Sequence, residues 1–231
     1  MHSEEIRLLG ELEDRHWWYA ERRNLIRRAV RDLPVTGWAL DIGAAAGGNT
    51  RVLAAAGWPC LALEYSVVGA TLAHERDLRV VRGDATALPM AAASLGLVIA
   101  YDVLEHIPDD RAAAAEVFRA LRPGGTFLVA VPADMRLWSA HDEAVDHVRR
   151  YERDELVRLL EGAGFRLEDV RSWNVLLRPV AALRRRRATG SDLDEPGSLL
   201  NAGLRAVVAL ERWLPVGELP GVSLLVTARK P

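Results

Sequence analysis

The chain has one cysteine, Cys60, and one lysine, Lys230, among 231 residues. A single thiol excludes a disulfide framework and a cysteine-based zinc site, and it suits a reducing compartment. No apolar run approaches the ~18 residues that cross a bilayer. The opening MHSEEIRLLGELEDRHWW is charged and lacks the apolar stretch of a secretory signal. Positive charge is not in excess: 30 Arg and Lys face 32 Asp and Glu, a net charge of -2. A dedicated nucleic-acid binder would carry a globally basic footprint. These absences leave a cytoplasmic globular protein without a nucleic-acid partner as the expectation. Half of the residues are hydrophobic, enough for a core, and the length fits one larger α/β domain.

Between Trp38 and Pro132 short apolar runs alternate with helical patterns. WALDI (38–42), CLALE (60–64), LRVVRGD (78–84), LGLVIAYD (95–102) and GTFLVAV (125–131) read as strands. TRVLAAAGW, VVGATLAHER and DDRAAAAEVFRALRPGG between them read as helices, the last started by Asp109 and Asp110 and stopped at Pro123-Gly124. Continuous apolar strands alternating with helices predict a parallel, doubly wound sheet. Beyond Pro132, ADMRLWSAHDEAVDHVRRY predicts a structured loop over the strands' carboxyl edge, and RDELVRLLEGAGF a helix. FRLEDVRSW (165–173) and VSLLVTAR (222–229) predict two further strands. The chain thus divides into an N-terminal helical cap (1–35), a core (36–173 and 222–231) and an insertion (174–221), all within one domain.

The densest signal is Asp41-Ile42-Gly43-Ala44-Ala45-Ala46-Gly47-Gly48. Small residues between a strand and a helix let a ligand approach the backbone, as in dinucleotide-binding turns. Asp41 would repel a pyrophosphate but suits a ligand bearing an ammonium and a sulfonium. Glu64 ends the second strand about 20 residues further on, where an acid can pair with ribose hydroxyls. Asp84 and Asp102 end the third and fourth. Four strand ends in series deliver carboxylates to the edge where open α/β sheets bind ligands.

With these motifs the chain resembles the class I S-adenosylmethionine-dependent methyltransferases, in the group of small-molecule enzymes like those of ubiquinone biosynthesis. DIGAAAGG is similar to that family's D-x-G-x-G-x-G, with Ala45 in place of the middle glycine, and LALEYS, RGDATALPM, LGLVIAYDVLEHIPDD and RALRPGGTFLVAVP resemble its following motifs. The resemblance covers roughly 36–173, with a return at 222–229. It implies a Rossmann-like seven-stranded sheet in the order 3-2-1-4-5-7-6 with the last strand antiparallel, and S-adenosyl-L-methionine as cofactor. It further implies that Gly43, Ala45 and Gly47 line the methionine part, with Asp41 near its amino group. Glu64 would hold the ribose hydroxyls, Tyr65 would flank the adenine, and Asp84 and Ala85 would contact the adenine edge. Tyr101 and Asp102 would border the sulfonium.

Methyl transfer is an in-line displacement, so the remaining need is alignment and a base. His106 and His147 are the candidates, near-neutral groups able to take a hydroxyl proton; packing and capping by Glu105 and His106 is the competing reading. Asp102-x-x-Glu105-His106 with the later His147 also resembles the ligand pattern of metal-dependent O-methyltransferases, which implies Mg²⁺, here with Asp in the first position. His141, Asp142, Arg149, Arg150 and Tyr151 form a polar cluster suited either to an acceptor or to solvated ion pairs, and Trp17, Trp18 and Tyr19 either lid the site or pack on the domain. The acceptor expected is a small molecule: a hydroxylated metabolite, sugar or lipid-linked precursor. A non-catalytic S-adenosylmethionine binder and a nicotinamide-dependent oxidoreductase are the alternatives. NVLLRPVAAL running into Arg184–Arg187 also suggests peripheral contact of 174–187 with an anionic membrane face.

Overall fold

The computed structural model describes residues 3–185 and 197–231. Two of the four consecutive arginines, Arg186 and Arg187, and most of the loop sequence TGSDLDEPGS lie outside the described residues. The chain opens with helices α1 (Ser3–Leu12) and α2 (Trp17–Val30). Strands and helices then alternate: β1 (Trp38–Ile42), α3 (Gly48–Ala55), β2 (Cys60–Glu64), α4 (Val67–His74) and β3 (Val80–Arg82). They continue with β4 (Leu95–Tyr101), α5 (Asp110–Ala120), β5 (Leu121–Pro132), α6 (Ala140–Ala144), α7 (Arg153–Gly162) and β6 (Arg166–Trp173). Helices α8 (Arg178–Arg185) and α9 (Ser198–Glu211) precede the closing strand β7 (Ser223–Arg229).

The seven strands form one sheet in the order β3-β2-β1-β4-β5-β7-β6, as the resemblance implied. β1 to β5 pair in parallel, while β7 runs antiparallel between β5 and β6. Every residue of β4 is buried, which explains why the central strands read as unbroken apolar runs: helices cover both faces. On one face Val98, Ala100, Phe127 and Val129 pack with Ala113, Val117, Leu156 and Leu160 of α5 and α7. On the other, Ala39, Leu97, Ile99 and Leu128 pack with Leu25, Ile26 and Val30 of α2, Leu53 of α3 and Val208 of α9. The N-terminal cap and the insertion are therefore part of the core, not appendages to it.

Local chemistry sets the boundaries. Ser66 accepts a hydrogen bond from the Val68 amide at the start of α4, and Asp109 accepts one from Ala112 at the start of α5. Asp110, expected as a helix-start acid, also accepts from Arg149 and from the Tyr151 hydroxyl. The loop expected after Pro132 contains α6, whose capping box reciprocally ties Ser139 to Asp142. Where β4, β5 and β6 end, Asp102, Asp134 and Asn174 each take a left-handed φ, of 57°, 64° and 60°. Asp and Asn tolerate this region better than other side chains, and the three turns release the chain at one edge of the sheet.

Candidate active site

A cavity of about 310 Å³ opens at that edge. One wall is the turn after β1, through Gly43, Ala44, Ala45, Gly48 and Asn49. Trp17, Trp18, Tyr19 and Arg22 of the cap, His141 and His147 of the 133–152 segment, and Leu177, Val180 and Leu204 of the insertion supply the rest. The cap aromatics therefore do line the site, and Trp18 also packs edge-on against Trp173 with ring centroids 4.7 Å apart.

The turn is held from beneath. Gly43 has φ +67°, and a Cβ there would lie 2.6 Å from Val103 Cγ2, so only glycine fits without displacement. Gly47 caps α3 at φ 86°; it does not line the cavity, and its hydrogen faces Leu78 and Ala73 instead. Ala45 sits at φ 46°, a region that costs a side chain roughly 1 kcal/mol. Its amide donates to Glu64 Oε2 at 2.7 Å, and the other Glu64 oxygen accepts from the Ser66 amide at 2.9 Å. Glu64 thus pins the turn, while each of its oxygens keeps a lone pair.

Asp41, expected beside the cofactor's amino group, lies under the turn and not on the cavity wall. It is 1% exposed, accepts a 2.6 Å bond from the Thr50 hydroxyl, and its Oδ1 has no partner among the described residues. Burial, reinforced by the carboxylates of Glu64 and Glu13 and opposed by Thr50, pushes its pKa up to about 7. The expected adenine contacts are likewise outside the cavity: Tyr65 is 75% exposed, Asp84 is exposed and closes a turn onto the amide and hydroxyl of Thr86, and the Ala85 side chain is in the core. Tyr65 and Asp84 nonetheless follow the ends of the adjacent strands β2 and β3, whereas Glu64, the last residue of β2, is buried and, like them, is not on the cavity wall.

Tyr101 and Asp102 do line it. Burial raises the Tyr101 phenol to about 12, so it remains a neutral donor. Asp102 is paired at 2.5 Å with Arg22, whose guanidinium also donates to Ser223 Oγ at 3.1 Å and lies over the rings of Trp18 and Trp173. Arg22 is buried on α2 and was invisible to motif reading, since nothing in WWYAERR marks which arginine turns inward.

His106 and His147 stand with ring centroids 4.7 Å apart. His106 Nδ1 meets the Asp146 carbonyl at 3.2 Å; a carbonyl only accepts, so Nδ1 carries the proton and Nε2 the lone pair. Burial, then the neighbouring His147, lowers the His106 pKa to about 4. His147 Nδ1 lies 2.9 Å from Asp142 Oδ1, an arrangement that fixes the tautomer and stabilises an imidazolium. Asp142 is fully buried and is held in turn by the buried Arg150, by the Ser139 amide and by Arg185. The cluster at 141–151 is thus a packed framework for His147, not a set of solvated ion pairs.

Glu105 is fully buried, neither of its oxygens has a hydrogen-bond partner among the described residues, and Oε1 stands 3.8 Å from His147 Nε2. Burial and the Asp102 charge hold its pKa well above the usual range. Glu105, His106 and His147 can bring one donor atom each to within 4.8 Å of one another, and Asp102 is not part of the group. One carboxylate and two imidazoles do not fit Mg²⁺, which takes oxygen ligands in an octahedron and keeps several waters. The Mg²⁺ expectation therefore fails on donor chemistry and on Asp102, which is engaged by Arg22.

Residues 40–129 match a family model described as a methyltransferase domain. The chain is 28% identical over 220 residues to a probable S-adenosylmethionine-dependent methyltransferase of Mycolicibacterium smegmatis, covering 90% of this chain and 78% of that one. Residues 40–129 thus match a methyltransferase domain, and nine-tenths of the chain is similar to a probable S-adenosylmethionine-dependent methyltransferase. A shorter match, 36% identical over 117 residues, links 51% of this chain to 48% of a demethylmenaquinone methyltransferase of Mycobacterium marinum. Among solved structures, a chain in the complex between the Haloferax volcanii Trm112 methyltransferase activator and a putative methyltransferase superposes with a TM-score of 0.67 at 21% identity, covering 99% of this chain and 96% of that one. Haemonchus contortus phosphoethanolamine N-methyltransferase 2 bound to S-adenosyl-L-methionine gives 0.61 at 20%, covering 91% and 52%. At such identities the structures establish the fold alone. Among the described residues no helix is long and apolar enough to cross a membrane.

Proposed function

We propose that this methyltransferase acts on a hydroxyl of a small-molecule acceptor, with His147 as the base. One observation carries the reading: the glycine-alanine turn and His147, which the buried Asp142 backs from behind, face a single cavity. S-adenosylmethionine supplies the electrophilic methyl group, and Glu13 and Asp102 stand on the cavity wall, each ion-paired with an arginine, Arg76 and Arg22 respectively. The turn presents backbone to the methionine end, and the exposed Tyr65 and Asp84, past the ends of β2 and β3, fit the nucleoside. The acceptor oxygen takes the methyl carbon as the carbon–sulfur bond breaks and its electron pair stays on sulfur; the hydroxyl proton passes to His147 Nε2. Asp142 stabilises the resulting imidazolium. Trp17, Trp18, Leu177, Val180 and Leu204 make the acceptor end largely apolar, which favours a phenol or quinol over a sugar.

The test is release of S-adenosylhomocysteine with a panel of phenols, quinols and sugars, in wild type and His147→Asn. Asparagine removes the base and should lower kcat by about 10²–10³-fold with binding of S-adenosylhomocysteine by calorimetry unchanged. Full turnover in the variant would remove His147 from the chemistry. Binding of S-adenosylmethionine without turnover of any acceptor hydroxyl would overturn the hydroxyl assignment.

A further inference from the structure

Helix α9 presents an apolar stripe that nothing among the described residues covers. Leu199, Ala202, Gly203, Ala206 and Leu210 recur at helical spacing, Trp213 continues the line in the following turn, and all six are exposed. Leu199 and Trp213 are 90% and 84% exposed. The back of the helix is fully engaged. Val208 is in the core, Asn201 joins the Trp17 amide to the Arg15 carbonyl, and the buried Glu211 carboxylate accepts from the Val175 and Leu176 amides. The stripe is therefore not a face waiting to rotate inward.

Charge on this stretch has one sign. From Ser198 to Gly217 the sequence holds one acid, Glu211, which is buried, and two cations, Arg205 and Arg212, both exposed. The next acid, Glu218, is paired with Arg153 at 3.2 Å. We infer that α9 docks this protein on an anionic phospholipid surface, with the leucines and Trp213 in the headgroup boundary and the arginines on lipid phosphates. A second copy of the chain is the poorer cover, because a two-fold contact sets the same patch against itself and this patch brings only positive charge. Helices α8 and α9 also contribute Val180 and Leu204 to the cavity wall, so docking brings the acceptor pocket to the lipid surface. The apolar-then-basic pattern of the sequence suggests membrane contact at 174–187, where Val180 and Leu183 of α8 are exposed; α9 adds a longer exposed apolar stripe.

The experiment is co-sedimentation of the full chain with vesicles of phosphatidylcholine alone or mixed with phosphatidylglycerol, at low and high salt. Wild type should bind the anionic vesicles, less at high salt, and not the neutral ones. Arg205→Glu with Arg212→Glu should weaken binding roughly 25-fold or more, about fivefold per arginine removed. Leu199→Asp with Leu210→Asp should weaken it by at least about tenfold. Unchanged circular dichroism and S-adenosylhomocysteine binding show that both variants fold. No binding of wild type to anionic vesicles at low salt, or wild-type binding by either variant, overturns the inference. So does a dimer by light scattering that the double aspartate variant dissolves, which would assign the stripe to a second copy. The measurement needs no turnover, so its result is independent of the acceptor assignment.

Discussion

Asp41→Asn isolates the carboxylate beneath the cofactor turn. In the wild type Oδ2 takes the Thr50 hydroxyl, Oδ1 has no partner among the described residues, and the pKa stands at about 7 against about 3.9 for an unfolded aspartate. Because the folded value is the higher, the folded state binds the extra proton between about pH 4 and 7. The contribution of this group to stability is greatest in acid, falls as pH rises through that window, and is flat above it. The full penalty of ionising Asp41 in the folded protein is about 4 kcal/mol, of which about 2.5 kcal/mol develops between pH 5 and 8. Asparagine keeps an acceptor for Thr50 and cannot ionise. Its amide then meets the place where Oδ1 lacked a partner, a cost that does not vary with pH. The stability of the Asp41→Asn variant relative to wild type should therefore rise by about 2.5 kcal/mol from pH 5 to pH 8, equivalent to a relative gain of roughly 5–10 °C in Tm. Urea titrations of both proteins at pH 5, 6, 7 and 8 read this directly, since the other titrating groups are common to both and cancel. Parallel stability curves across the range would refute the reasoning, for they would mean that Asp41 has the same charge folded and unfolded throughout.

Ala45→Gly should raise stability by about 0.5–1 kcal/mol, since the φ of 46° is free for glycine, while Gly43→Ala should lower S-adenosylhomocysteine affinity because its Cβ would press on Val103; calorimetry and urea titration check both. Arg22→Met leaves Asp102 one-third exposed and unpaired, and should cost about 2–3 kcal/mol after allowing for solvent around that carboxylate; a denaturation midpoint equal to wild type would remove the pair from the stability of the cap. His106, with its pKa near 4, is neutral throughout the working range of pH. His106→Asn should therefore leave the acid limb of the pH–rate profile in place, and a displaced limb would show that His106 titrates in the reaction.

How much of this was legible from residues alone follows from what kind of interaction was involved. The strand-turn-helix at 38–55 and the acids at strand ends are local: the strand period, the small-residue turn and the helix follow from neighbours in sequence, so Asp41, Glu64, Asp84 and Asp102 could be assigned to one edge without coordinates. Which way each side chain turns at that edge was not legible. Asp41 points under the turn, where Thr50, nine residues on, donates its hydroxyl to the carboxylate, and Asp102 points to Arg22 across 80 residues. The functional residues that motif reading missed or left among solvated alternatives, Arg22, Asp142 and Arg150, share a cause: Arg22 is buried by Asp102 and Ser223, far along the chain, and Asp142 and Arg150 by each other, Arg185 and the Ala133 carbonyl, and a buried charge looks like a surface charge until its partners are placed.

By itself, then, the sequence determined the alternation of strands and helices, the position of the cofactor turn and the absence of a disulfide scaffold, since these depend on periodicity and composition. Tertiary structure alone decided that cap and insertion close the cavity, that His147 rather than His106 is backed by a carboxylate, that Asp102 is matched to an arginine and not available to a metal, and that α9 carries an exposed apolar stripe. Apart from Asp142 and His147, which are close in sequence but packed by Arg185 from α8, these are pairings between segments tens to hundreds of residues apart, and burial, which sets both pKa and exposure, exists only once those segments have met.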